Sequence, residues 1–163
     1  MGQAHRAQRT INKLPFNKTD LLENYTIKEN GYGGMAAKLI NKYVKIIISI
    51  EQGVIFLIGF YKQPGIAKKG IARCGLYVLL KKLLEDEIIE KSQIMKVSSP
   101  TPDDGDMERL IKIYTQIGFT RGDPEPGNPI NLYATIEKLI KTLEKQCEIR
   151  QGTRESNICS LRF

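Results

Sequence analysis

Residues 54–61 read VIFLIGFY, an uninterrupted apolar run of strand length that follows a tight turn at residues 51–53. A run without polar alternation is typical of a strand near the centre of a sheet, buried on both faces. Pro64 and Gly65 end the run. From Gly70, apolar residues recur at helical spacing to about residue 85, and residues 92–98 predict another buried strand. This order predicts a parallel strand pair joined by a right-handed crossover through the helix.

Shorter elements flank this central unit on both sides. Upstream, residues 24–28, 34–40 and 44–50 have the apolar patterns of successive strands. Downstream, aspartates within residues 103–106 are good caps for a helix. Its apolar stripe comprises Met107, Leu110, Ile111, Tyr114 and Ile117. Beyond Gly118, which ends this helix, residues 119–120 and 130–134 predict the last strands, and residues 136–143 predict a closing helix.

The length of 163 residues fits one domain, and 41% hydrophobic with 26% charged residues is the composition of a folded protein. Residues 1–20 are polar and basic and predict a flexible arm. Residues 21–147 form the predicted domain, and residues 148–163, which lack a pattern, predict a tail. The net charge of +7 predicts a surface that attracts anions. Lysines dispersed on amphipathic segments are, however, more often a solvated face.

Several classes of site are disfavoured by the residue inventory. His5 is the single histidine and lies in the basic arm, which removes most zinc sites and every dyad of a nucleophile with histidine. The three cysteines, Cys74, Cys147 and Cys159, are widely spaced and odd in number, so we expect reduced thiols. We find neither a signal-peptide pattern nor an apolar run of membrane length, and therefore expect a soluble, cytoplasmic protein.

Residues 68–75, KKGIARCG, place small and basic residues at the junction between the central strand and the next helix. Amides in the first turn of a helix lack intrahelical acceptors, and the helix dipole adds partial positive charge, so such a junction suits a phosphate. A turn that needs glycine for packing is the commoner explanation of an isolated Gly-x-Ala. Neither a P-loop nor a Rossmann loop is complete here, which argues against ATP and NAD.

Two segments, residues 70–80 and residues 110–119, together resemble the GNAT superfamily of N-acetyltransferases. Gly70-Ile71-Ala72, with Leu79-Leu80 on the following helix, is similar to the family's acyl-CoA pyrophosphate loop. Residues 110–119, LIKIYTQIGF, resemble its late helix, which ends in Tyr, four residues, then Phe. The resemblance covers roughly residues 24–136. It implies an α/β (α+β) fold with a central, mixed, mostly antiparallel sheet of six to seven strands, a splayed parallel pair in its middle, and helices on both faces.

The resemblance also implies an acetyl-CoA-dependent N-acetyltransferase in which an amine attacks the thioester directly. Tyr114 would be the general acid that protonates the departing CoA thiolate. A phenol pKa near 10 and a thiol pKa near 8.5, both approximate reference values, make that proton transfer nearly balanced. The residues implied to bind acetyl-CoA are Phe60, Tyr61 and Lys62 for the pantetheine arm, and Lys68, Lys69, Gly70, Ile71, Ala72, Arg73 and Cys74 for the pyrophosphate.

The implied partners are acetyl-CoA and an amine acceptor, which is a small molecule or a protein, with no metal and no membrane. The protein would be a monomer or a homodimer. Ala67 stands where the family loop opens with Gln or Arg. The central strand has no acidic residue, so the general base is unassigned; Glu51, acting through water, is a candidate.

The alternative function is a catalytically silent domain of the same fold that binds nucleic acid or a protein through its basic surface. Neither an RNA-binding aromatic pattern nor a recognition-helix motif is visible, which disfavours nucleic acid.

Overall fold

The computed structural model describes residues 14–31, 33–66, 70–97 and 105–150. Its helices are α1 (Lys18–Leu21), α2 (Ile71–Glu85), α3 (Met107–Gln116) and α4 (Ile136–Glu144). Its strands are β1 (Leu14–Asn17), β2 (Tyr25–Glu29), β3 (Met35–Ile40), β4 (Val44–Glu51), β5 (Val54–Lys62), β6 (Ile94–Val97), β7 (Thr120–Gly122), β8 (Asn131–Thr135) and β9 (Cys147–Arg150). The predicted central unit of strand, helix and strand is confirmed as β5, α2 and β6.

Seven strands form one mixed sheet in the order β2-β3-β4-β5-β6-β8-β7. The neighbours β5 and β6 are parallel, and the other neighbouring pairs of this sheet are antiparallel. Helix α2 makes the crossover between the parallel strands, as βαβ units require. The predicted fold class, a mostly antiparallel sheet of six to seven strands around a central parallel pair, is therefore confirmed.

Helices α2, α3 and α4 share one side of this sheet. Gly75 of α2 lies so close to β4 that an added Cβ would stand 3.1 Å from the Ile46 side chain. On α3, Tyr114 packs against Phe60, which is the strand partner of Ile46 and therefore points to the same side. A Cβ on Gly118, just after α3, would meet Leu139 of α4 at 3.3 Å. We call the side of the sheet that these helices cover the inner face.

The opposite side, the outer face, is covered by no helix within the described residues. Alternate side chains along a strand point to opposite faces, so the outer face carries the residues between the buried ones. On β5 and β6, Leu57 and Met95 of the inner face are 1% and 0% exposed, whereas Ile58 and Ile94 of the outer face are 53% and 45% exposed. Helices on both faces were predicted, and the described helices instead form one layer.

A short connection, residues 30–34, joins β2 to β3. The amide of Asn30 donates to the carbonyl of Gly34 at 3.0 Å, and the amide of Gly34 donates to Oδ1 of Asn30 at 3.1 Å. A connection of this length has no room for a helix. The first strands of the sheet therefore follow one another without an element that could cross the outer face.

Strands β1 and β9 form a second, parallel sheet of two strands. The expectation of a flexible arm through residue 20 and a patternless tail from residue 148 is therefore wrong for residues 14–20 and 148–150. Each strand is only four residues long, too short to show a periodic pattern, and its partner lies near the opposite end of the chain. Residues 1–13 and 151–163 lie outside the described residues, and the division into arm, domain and tail is otherwise still a prediction.

Cys74 of α2 and Cys147 of β9 form a disulfide, with Cα atoms 5.6 Å apart. The expectation of reduced thiols is wrong for this pair. A separation of 73 residues carries no spacing signal, because only the packing of β9 against α2 brings the two sulfurs together. Both side chains are buried, at 0% and 1% exposure. Cys159 lies outside the described residues.

Candidate active site

The parallel strands β5 and β6 are paired over only part of their length. Ile55–Leu57 pair with Met95–Val97. Strand β5 continues to Lys62 and stays paired with β4 on its other side. From residue 58 to residue 62, no described strand pairs with the edge of β5 that faces β6. Backbone N–H and C=O groups need partners when buried, so this edge, which we call the open edge, suits an extended ligand that carries amides.

A β-bulge marks the start of the open edge. Ile48 pairs with Leu57 and Ile47 pairs with Gly59, so Ile58 is an extra residue of β5. The insertion reverses the alternation of side chains beyond it. Phe60 consequently points to the inner face, opposite Ile46. If every residue of β5 paired one to one with β4, Phe60 would instead lie opposite Lys45 and point to the outer face.

Tyr114 lies beside the open edge on its inner side. Its ring centroid is 5.9 Å from that of Phe60 and 5.6 Å from that of Phe119, and the residue is 8% exposed. The cap of α3 places it there: Oδ1 of Asp106 accepts from the amide of Arg109 at 3.0 Å and fixes the first turn. The amide of Phe119 donates to the carbonyl of Tyr114 at 3.1 Å. The Tyr and Phe of the sequence motif therefore pack as one unit.

Burial raises the pKa of Tyr114 to about 12, because the phenolate would lose its hydration inside the protein. The nearly balanced proton transfer expected from the sequence assumed an ordinary phenol. With the raised pKa, the gap to a thiol near 8.5 is about 3.5 pH units, or about 5 kcal/mol. The hydroxyl is thus protonated at neutral pH and is a hydrogen-bond donor at this position.

Helix α2 begins directly after Gly70, which has φ of +80°, a conformation that favours glycine. Among the described residues, no acceptor is found for the amides of Ile71 and Ala72. The amides of Arg73 and Cys74 donate to the carbonyl of Gly70, at 3.1 and 3.4 Å. The backbone donors left for an anion are therefore fewer than the predicted set. Lys68 and Lys69 lie outside the described residues.

The side chain of Arg73 ties the start of α2 to the ends of α3 and α4. Its guanidinium donates to Oε1 of Gln116 at 3.3 Å and to Oε1 of Gln146 at 3.5 Å. Nε2 of Gln146 in turn donates to the carbonyl of Gln116 at 3.0 Å. These partners are neutral, so they leave the positive charge of Arg73 in place. The sulfur of Cys74 is in the disulfide and cannot contact a ligand.

The predicted site residues divide into those that converge and those that do not. Phe60, Tyr114 and the first turn of α2 lie at the same end of β5, since Tyr114 packs on Phe60 and Arg73 contacts Gln116, two residues after Tyr114. Lys62 ends β5 and is exposed, and Tyr61 is 47% exposed with the Lys45 ammonium 5.8 Å from its ring centroid.

Glu51, the candidate base, lies at the opposite end of β5. It pairs with Val54, which lies about 26 Å along β5 from Lys62. Oε2 of Glu51 accepts from the Ser49 hydroxyl at 2.8 Å. We therefore discard Glu51 as the base.

Two polar groups near the strand opening were not identified from the sequence. Nζ of Lys96, on the outer face of β6, is 3.4 Å from Oε1 of Glu125. Asn131, at the start of β8, is 9% exposed and donates from Nδ2 to the carbonyl of Asp123 at 3.1 Å. Its buried Oδ1 has no partner among the described residues. The signal in the sequence was weak, a single charge within the apolar strand IMKV and one asparagine after a turn-rich loop.

Other classes of site find no support in the ranges that the structure describes. We find no group of three or more His, Cys, Asp or Glu side chains there that could hold a metal ion. None of the helices in those ranges has the length and apolar character needed to cross a membrane.

Comparisons with known proteins concern the fold. No protein-family model matches the sequence, and no curated protein matches it significantly. Among solved structures, the chain is similar to the anti-CRISPR protein AcrVA5, at 17% identity and a TM-score of 0.44, over 61% of this chain and 98% of that one. It is also similar to the PaiA N-acetyltransferase of Thermoplasma acidophilum in complex with coenzyme A, at 15% identity and a TM-score of 0.43, over 63% of this chain and 59% of that one.

Proposed function

We propose that this protein is an N-acetyltransferase that uses acetyl-CoA to acetylate an amine. The observation that carries the proposal is the convergence of three features at one end of β5: the open edge, the buried hydroxyl-bearing ring of Tyr114, and the start of α2. Each matches one part of acetyl-CoA. The pantetheine arm carries amides, the thioester releases a thiolate, and the pyrophosphate is an anion.

The residues around the open edge fit this donor. The backbone of Phe60, Tyr61 and Lys62 offers strand hydrogen bonds to the pantetheine amides. The amides of Ile71 and Ala72, at a helix N-terminus that begins with a glycine at positive φ, suit the pyrophosphate. Arg73 supplies positive charge beside them, and we include Gly70, Lys68 and Lys69 in the proposed phosphate site. Acetyl-CoA supplies an activated acetyl thioester.

Tyr114 would act on the departing sulfur. Its hydroxyl is protonated at neutral pH, because burial raises its pKa to about 12, and it can donate a hydrogen bond as negative charge develops on the thiolate. We assign no base to any described residue. The rate is therefore expected to rise with pH as the acceptor amine loses its proton. Titration of Tyr114 causes no decrease in activity below about pH 11.

The variant Tyr114→Phe tests this proposal, since it removes the hydroxyl and keeps the ring between Phe60 and Phe119. We expect kcat to fall about 100-fold, the lower end of the range for a lost hydrogen-bond donor to developing charge, while the Kd for acetyl-CoA changes by less than about threefold. Thiol release from acetyl-CoA, with free lysine derivatives and lysine peptides as acceptors, gives kcat. Calorimetry gives the Kd.

The matched control is Tyr25→Phe, which also removes one phenolic hydroxyl from a partly buried ring. Tyr25 lies on the edge strand β2, separated from β5 by β3 and β4, so its loss should leave kcat unchanged. Equal turnover in wild type and Tyr114→Phe would remove Tyr114 from the mechanism. Failure of the wild-type protein to bind acetyl-CoA at all would overturn the proposed function.

A further inference from the structure

The outer face of the sheet carries exposed apolar side chains and lysines. Ile58, Ile94 and Tyr133, on β5, β6 and β8, are 53%, 45% and 36% exposed. Lys28, Lys38 and Lys45 point to the same face, as the strand register shows: Lys38 pairs with Ile47, which pairs with Gly59 beyond the bulge. We call these six residues the outer patch. Contiguous apolar surface rimmed by polar groups marks an interaction site in soluble proteins.

The outer patch borders the candidate active site. Ile58 belongs both to the patch and to the open edge, where β5 is no longer paired with β6. Tyr114 lies on the inner side of this edge, so the outer side is the free route for an acceptor. The connection between β2 and β3 is too short for a helix, and among the described residues no element lies above the sheet on this side.

The charges of the outer face determine which partner can bind the outer patch. Lysines dominate the outer face. Its carboxylate on the strands, Glu51, lies at the rim in a hydrogen bond with Ser49, and the carboxylate of Glu125 is paired with Lys96. Residues 1–13 contain two arginines and a lysine without a carboxylate, and residues 151–163 contain two arginines and one glutamate. Both segments match the patch poorly in charge, and so does a second copy, which would present the same lysines. An acidic partner is complementary.

The apolar side chains favour a protein over a nucleic acid as that partner. Single-stranded nucleic acids stack on exposed aromatic rings that lie on adjacent strands. Here the most exposed members of the patch are the isoleucines, which pack against apolar side chains and provide no stacking surface. Tyr61 is also exposed, but the Lys45 ammonium lies close to its ring. The centre of a protein interface is apolar and its rim is polar.

We infer that the outer patch docks an acidic protein, and that this protein carries the amine that is acetylated. The inference rests on the proposed acetyl transfer. In that reaction the nitrogen of a neutral lysine side chain of the partner attacks the acetyl carbonyl, the N–C bond forms and the C–S bond breaks. The sulfur takes up a proton and leaves as the thiol. The nitrogen loses a proton to solvent, so the protons balance.

The test compares two charge-reversed variants with equal net charge. Lys28→Glu, Lys38→Glu and Lys45→Glu together reverse the outer patch, whereas Lys91→Glu, Lys141→Glu and Lys145→Glu reverse exposed lysines elsewhere. The probe is a fluorescent, glutamate-rich peptide with one lysine, and its control has glutamines for the glutamates. We expect the patch variant to weaken binding of the acidic peptide about tenfold or more, with less than about threefold change in the control variant.

Acetylation of the same peptides separates docking from chemistry. We expect the patch variant to raise KM for the acidic peptide about tenfold with kcat unchanged, and to leave kcat/KM for a free lysine derivative unchanged, since that small amine does not need the patch. Equal losses in both variants would overturn the inference. So would acetylation of a free lysine derivative without any preference for the acidic peptide, a result that would leave the transferase itself intact.

Three further outcomes would overturn the inference. Peptide binding without acetylation of any amine would remove the acceptor role together with the proposed function. Tighter binding of a single-stranded oligonucleotide than of the acidic peptide, lost in the patch variant, would assign the patch to nucleic acid. A dimer in sedimentation that dissociates on Ile58→Ser and Ile94→Ser would assign the patch to a second copy.

Discussion

Leu57 and Ile58 are consecutive residues of β5, yet they belong to opposite faces of the sheet and are 1% and 53% exposed. The inner face is sealed by α2, α3 and α4 and contributes the continuous core. The outer face is built by the same strands and receives no described helix. The difference teaches that one helical layer is enough to order the strands, because half of the side chains on each strand supply the buried surface. The other half is then free to contact another molecule.

The largest effect is expected when Leu57→Ala is compared with Ile58→Ala. Loss of the buried Leu57 side chain should lower the free energy of unfolding by about 3 to 4 kcal/mol, since it removes apolar burial and leaves a cavity. Loss of the exposed Ile58 should cost less than about 1 kcal/mol. Urea denaturation of the two variants measures both values. Similar destabilisation by the two changes would mean that the outer face is also part of the core.

The second test measures how much the attachment of β9 to α2 contributes to stability. The disulfide of Cys74 with Cys147 attaches β9 to α2, and it closes a long loop of chain. Replacing both cysteines by alanine should lower the free energy of unfolding by about 3 kcal/mol. Wild-type protein in dithiothreitol should unfold at the lower midpoint as well, and the double variant should not respond to the reductant. A variant as stable as the oxidised wild type would contradict a structural role for the pair.

The third and smallest effect concerns the burial of Tyr114. Its folded-state pKa of about 12 lies above the ordinary value of 10.0, so between these pH values the folded state holds a proton that the unfolded state has lost. Stability should therefore fall as pH rises through this range, by about 2.7 kcal/mol from this group. The loss should be smaller in Tyr114→Phe, and the difference between the two denaturation series isolates Tyr114. If the free energy of unfolding fell equally with pH in wild type and Tyr114→Phe, Tyr114 would not be desolvated.

The core elements of the fold could be predicted from local patterns. Helix α2 runs to residue 85 as expected, since its apolar spacing and the glycine before it are both local features. Strand β5 was recognised by its continuous apolar run, and α3 by its aspartate cap and apolar stripe. In each case the residues that determine the element are close together in the chain, so one window of sequence contains the whole signal.

Features that depend on distant residues were missed. The pairing of β1 with β9 and the disulfide of Cys74 with Cys147 both join segments that only tertiary packing brings together. The same limit applies to the candidate site. Tyr114 could be singled out from a motif, but its raised pKa depends on the burial that Phe60 and Phe119 help to provide. The position of Glu51, remote from Tyr114, also follows from strand register alone.

The bulge at Ile58 makes the length of β5 as important as its composition. Inserting a single residue after Gly59 would turn over every side chain beyond it, so Phe60 would lie opposite Lys45 on the outer face and no longer contact Tyr114. Hydrophobicity and net charge would barely change, and most of the chain would keep its neighbours. For this protein, therefore, a one-codon insertion could silence the candidate site more selectively than any substitution in the core.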